Sequence, residues 1–270
     1  MIEQDIYVDN IISSVTNENK AVQFYKEARE FITKGGFNLR SWTSNSQLLR
    51  TIACADNILD KDTKPKVLGM RWDVQKDELC FAQTEIHLTA ETDITKRVIL
   101  NQSSKIYDPL GLLSPITIRA KLFLQELWRE NYEWDQILPT KLCETWIDIA
   151  THIQKRINTA FPRRYFTGTQ NETISLTLQV FSDVSLKAYI AYLCKGNESK
   201  LIMAKTRVAP VKSLTLPQLD LIAAVNGARL TQHILSMFIN ISNVELWSDS
   251  QIVLNWLMSK KPLKRFIATV

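Results

Sequence analysis

Phe181-Ser182-Asp183 closes one apolar alternation, Trp247-Ser248-Asp249-Ser250 closes another, and Asp220 opens a helical pattern between them. Acids scattered along a chain are ordinary. Acids at two strand ends and one helix start are different, because an α/β sheet can bring them together. Such a set holds a hard cation through oxygen: Mg2+ (or Mn2+) accepts carboxylates, and two ions about 3.5–4 Å apart activate water and stabilise the leaving oxygen in phosphodiester cleavage. The pattern makes Asp183, Asp220 and Asp249 candidate metal ligands and candidate catalytic residues of a nuclease.

Working outward, Ser175 to Ser182, Ala188 to Leu193 and Lys200 to Ala204 read as three strands of an antiparallel meander, with Gly196-Asn197 as one of its turns. A helix follows, announced by the capping pattern Thr215-x-x-Gln218 and by Pro217 in its first turn. Its predicted apolar face is Leu219, Ile222, Ala223, Leu230 and Ile234, with Asp220 one position off that stripe. Val244 to Trp247 is a further strand and Gln251 to Met258 a helix closed before Pro262. The order β-β-β-α-β-α is that of the ribonuclease H-like fold.

Upstream, Asp5 to Ile12 reads as a hairpin turning at Asp9-Asn10, and Glu18 to Lys34 as an amphipathic helix stopped by Gly35-Gly36. That helix is expected to bury Ala21, Phe24, Tyr25, Ala28, Phe31 and Ile32. Val67 to Trp72 and Leu79 to Phe81 form a second hairpin. Three helices are predicted over Thr95 to Ile106, Ile116 to Tyr132 and Pro139 to Ile157, the first two separated by the breaker Tyr107 to Pro115. Phe161 to Thr173, with Pro162 and Gly168, reads as a linker into the last unit.

The chain has 270 residues, 45% of them hydrophobic and 23% charged, which describes a globular protein long enough for two domains. Its net charge of +5 is compatible with a polyanionic partner but is too mild to require one. Cys54, Cys80, Cys143 and Cys194 show neither zinc spacing nor a disulfide framework and are expected to be reduced, buried thiols. No targeting segment or membrane span is recognisable, so the expected location is intracellular, cytoplasmic or nuclear. His87, His152 and His233 have no metal spacing.

The stretches Leu68-Gly69-Met70-Arg71-Trp72, Tyr107-Asp108-Pro109-Leu110-Gly111-Leu112-Leu113-Ser114-Pro115, Phe181-Ser182-Asp183 and Trp247-Ser248-Asp249-Ser250-Gln251 resemble the Pol polyprotein of BEL/Pao-type LTR retrotransposons. The resemblance runs nearly end to end. It implies the C-terminal part of a reverse transcriptase palm over 1–90 with a primer-grip-like hairpin, a helical thumb and connection over 91–170, and a ribonuclease H-like domain over 171–270.

Tyr7-Val8-Asp9-Asn10 is similar to the metal-holding palm hairpin, so the resemblance implies Asp9 as a polymerase ligand, with Asn10 where the family has a second aspartate. It further implies an RNA/DNA hybrid as partner, with Trp72, Lys205, Arg207 and Lys212 as contacts. Asp220 stands where the family usually has the longer glutamate. The remaining palm aspartate is expected before Met1 and a fourth ribonuclease H carboxylate beyond Val270. Little or no catalysis is therefore expected, and the alternative is a non-catalytic nucleic-acid-binding module or a decayed genomic relic.

Overall fold

A computed structural model describes residues 5–7, 10–82, 86, 93–166, 175–183, 188–208, 214–238 and 240–260. The chain divides into two compact units, one made of residues 1–80 and 160–171, the other of residues 81–159 and 172–270.

In the first unit, β1 (Ile6–Tyr7) and β2 (Asn10–Ile11) form the expected antiparallel hairpin. Helix α1 (Glu18–Lys34) has the predicted bounds, with Asn17 capping Lys20 N–H and Gly36 at φ 80° ending it. It buries Tyr25 and Ala28, whereas Phe31, expected inside, is exposed. The helix α2 (Gln47–Ala55) was not anticipated; it starts at the Ser46 cap and brings Leu49 and Ala53 against Tyr25. Trp42 closes that cluster edge-on to Tyr25, with ring centroids 4.7 Å apart.

The apolar run at Val67 breaks at Leu68 and Gly69, both at positive φ, to give a two-residue turn between β3 (Lys66–Val67) and β4 (Met70–Asp73). β4 pairs with β5 (Glu78–Cys80) as the second hairpin. The segment read as a linker is in part a strand. β6 (Ala160–Pro162) pairs antiparallel with β5, and Pro162 is tolerated because β6 is the outer strand of the order β3-β4-β5-β6. Arg163 then forks onto Asp77 with contacts of 2.6 and 3.0 Å, which fixes the returning segment.

In the second unit, α3 (Lys96–Ser104), α4 (Ser114–Arg129) and α5 (Thr140–Ile157) match the three predicted helices within two or three residues. Trp146, Ile149 and Ile153 of α5 are buried as expected, with Phe123 of α4 stacked on Trp146. Lys96 is buried: its ammonium donates to the Tyr132 carbonyl and lies 4.0 and 4.9 Å from the ring centres of Trp128 and Trp134.

The sheet of this unit has the order β10-β7-β8-β9. β7 (Leu176–Asp183), β8 (Ala188–Lys195) and β9 (Glu198–Thr206) form the antiparallel meander, and β10 (Ile241–Ser248) adds parallel to β7. A parallel neighbour needs a crossover, which α6 (Leu216–Met237) supplies; α7 (Gln251–Leu257) follows β10. This is the ribonuclease H-like element order. The side chain of Gln218 accepts from Thr215 N–H at the start of α6.

The buried stripe of α6 is Leu221, Ala223, Asn226, Gly227, Leu230, Thr231 and Ile234, so the expected face is rotated and Leu219 and Ile222 lie at its margin. Asn226 and Thr231 fit inside because each donates to the carbonyl four residues back. The four cysteines are free; Cys54 is exposed and the others half-buried, where buried thiols were expected.

Candidate active site

β7 and β10 run side by side in the same direction, with Phe181 opposite Trp247 and Ser182 opposite Ser248. Asp183 is the last residue of β7 and Asp249 the first after β10, so the two carboxylates stand level at the C-terminal ends of adjacent parallel strands. Both are exposed. The serines between them hold the strand ends: Ser182 Oγ donates to the Trp247 carbonyl at 3.1 Å, and Ser248 Oγ accepts from Ser250 N–H. Side chains alternate along a strand, so Phe181 shares a face with Asp183, and Trp247 with Asp249. These two rings stack 6.1 Å apart, within 10° of parallel, and both are exposed.

Helix α6 covers the opposite face. Gly227 is the point of approach, where an added Cβ would meet Val180 and Ser182 at 3.7 Å. Asp220, half-buried, precedes Gly227 by seven residues, or close to two helical turns, and so lies on nearly the same side of α6. The oxygen-only donors suit a hard dication in kind but not in number. Among the described residues no group of three or more His, Cys, Asp or Glu side chains is placed to hold a metal ion. Asp183 and Asp249 come together; Asp220 does not complete a centre with them.

The stretch that holds this sheet, its crossover helix and both strand-end aspartates is matched by one family. The family described as the Pao retrotransposon-like RNaseH-like domain matches residues 95–250, more than half of the chain. The chain belongs to this family. Among solved structures, it is similar to a foamy virus protease-reverse transcriptase described in complex with double-stranded DNA, at 14% identity and a TM-score of 0.34. That likeness covers 75% of this chain and 33% of the viral one, so the chain spans about a third of its length. No match is found among curated proteins.

The remaining predicted contacts fall in both units, and each is described in its own. Lys205 and Arg207 are exposed at and just after the end of β9. Trp72 is half-buried: its indole N–H donates to Asp77 at 3.0 Å and the Arg163 guanidinium lies 5.6 Å from its ring centre. Burial raises the Asp77 pKa, but Arg163 and the Trp72 indole outweigh it and hold the carboxyl below the usual range. Asp9 and Lys212 lie outside the described residues.

The sequence reading gave the block Tyr107 to Pro115 no task beyond ending a helix; its position supplies one. Leu110 carbonyl accepts from Ala204 N–H at 2.8 Å, so the block docks on β9. Asp108 shapes it by accepting from Leu112 and Leu113 N–H at 2.9 and 2.7 Å. The signal that pointed there was Asp-Pro followed by Gly.

Proposed function

We propose that this chain is a section of a retrotransposon Pol polyprotein that binds RNA/DNA hybrids through its ribonuclease H-like domain and cleaves them little or not at all. Residues 1–90 take the place of the end of the polymerase palm, 91–170 of thumb and connection, and 171–270 of the ribonuclease H-like domain.

The observation that carries this reading is the level pairing of Asp183 and Asp249 at two parallel strand ends, which no third acid, histidine or cysteine among the described residues completes as a metal centre. Two carboxylates can attract a magnesium ion, but they do not fix the octahedral geometry that hydrolysis needs. Lys205 and Arg207 supply exposed positive charge for the phosphate backbone.

The test is cleavage of a labelled hybrid by purified protein with Mg2+ or Mn2+, beside the Asp183→Asn variant. Both are expected to cleave at background rate. Hybrid binding is expected to weaken steeply with salt and to be indifferent to Asp183→Asn and Asp249→Asn. Metal-dependent cleavage abolished by Asp183→Asn overturns the inactive reading, and salt-independent binding overturns the backbone reading.

A further inference from the structure

The second unit has an open cavity of about 610 Å³, walled by α3, the Asp108–Ser114 turn, α4, the end of β9 and one flank of α6. Four cationic side chains line it: Lys121 from α4, Lys205 and Arg207 at and just after the end of β9, and Arg229 from α6. None of these side chains is in a hydrogen bond or ion pair among the described residues.

Among the described lining residues a single acid, Asp108, faces these four cations. Its carboxylate already accepts from two backbone N–H groups; burial raises its pKa, and those backbone bonds and, least of all, the charge of Lys121 oppose the rise. Thr206, also in the lining, has its hydroxyl oxygen buried without a hydrogen-bond partner among the described residues. Such an orphan is uncommon, because a buried hydroxyl without a partner costs free energy.

Four exposed cations around one concavity give it a positive potential that favours an anion. The rest of the wall is apolar, with Leu100, Leu124, Met203 and Leu230, and the volume is that of a small-molecule site rather than of a single inorganic anion. We propose that this cavity binds a nucleotide, its phosphate held by Lys121, Arg229, Lys205 and Arg207 and its nucleoside set against the aliphatic wall. The ligand is either a free nucleotide or one nucleotide of a strand. The proposal shares Lys205 and Arg207 with the hybrid reading and adds Lys121 and Arg229, two residues the hybrid reading does not use.

The experiment is calorimetric titration of the full chain with inorganic phosphate, a nucleoside monophosphate and a short single-stranded oligonucleotide. It is repeated on Lys121→Ala, Arg229→Ala and, as a control, Lys141→Ala on α5. All three side chains are exposed, so thermal unfolding is expected to be unchanged. The monophosphate is expected to bind more tightly than phosphate. Lys121→Ala and Arg229→Ala should each weaken it about tenfold, the loss of one charged hydrogen bond, while Lys141→Ala leaves it intact.

An oligonucleotide that competes with the monophosphate and is weakened by the same variants identifies a strand as the source; monophosphate binding without competition identifies the free nucleotide. Equal affinity in all variants, or no binding of any of the three probes, overturns the proposal. Hybrid binding measured in parallel separates the two readings: a chain that binds hybrid but not nucleotide refutes the cavity site alone, and the reverse refutes the hybrid reading alone.

Discussion

At Gly111 the backbone sits at φ 71°, and a Cβ there would overlap the Ala204 carbonyl. Both problems are backbone problems that no side-chain rotation relieves. Gly111→Ala is expected to cost about 3 kcal/mol or more, seen as a lower denaturant midpoint at unchanged slope. Asp108 beside it sets a pH dependence. Its folded pKa is raised, so between its unfolded and folded values the native state holds the extra proton, and stability falls as pH climbs through that window. Asp108→Asn should abolish this decline while losing one acceptor, and chemical denaturation of both proteins from acid to neutral pH checks it. Composition alone marked Asp108 and Gly111 as turn residues. That they meet a strand nearly a hundred residues later is a tertiary fact no local pattern encodes. Trp72 shows the same limit: its hairpin was legible, but its partner Arg163 arrives from a distant segment.

Elements with strong local signals were read nearly in full. α1, α3 and α6 carry caps, α5 carries helical spacing, and the β7–β8–β9 meander carries period-2 alternation and a Gly-Asn turn. The nine-residue α2 escaped although Ser46 followed by Leu49 and Ala53 was visible, because so short a helix depends on packing against Tyr25. β6 escaped because Pro162 and its surroundings look like a linker, and only pairing with β5 makes them a strand. The face of α6 was misjudged because Asn226, Gly227 and Thr231 are not apolar, yet they are where the helix meets the sheet. At Gly227 an added methyl would find ordinary contacts of 3.7 Å. Gly227→Ala is therefore expected to raise stability by about 0.5–1 kcal/mol through helix propensity, measured as an increase in thermal midpoint. The carboxylates divide by the same logic: strand ends placed Asp183 and Asp249 correctly side by side, whereas the helix rotation that positions Asp220 was not legible.

Over the whole molecule, each unit is assembled from two stretches of chain. The first needs residues 160–166, because β6 pairs with β5 and Arg163 binds Asp77. A fragment of residues 1–80 is expected to lose β-structure and to melt less cooperatively than the same fragment joined by a short flexible linker to residues 159–166, as followed by circular dichroism. The second unit unites the helices from α3 onward with the sheet, and the family match begins at residue 95, well ahead of β7. The matched stretch therefore takes in α3, α4 and α5 together with the sheet.

β9 is the outermost strand of its sheet, and Leu110 occupies the Ala204 N–H on its open side. An uncovered edge of this kind recruits strands from other molecules and seeds aggregation. The Tyr107–Pro115 block thus acts as an edge guard, and expression of the sheet without it should give material that self-associates through β9 rather than a smaller version of the same domain.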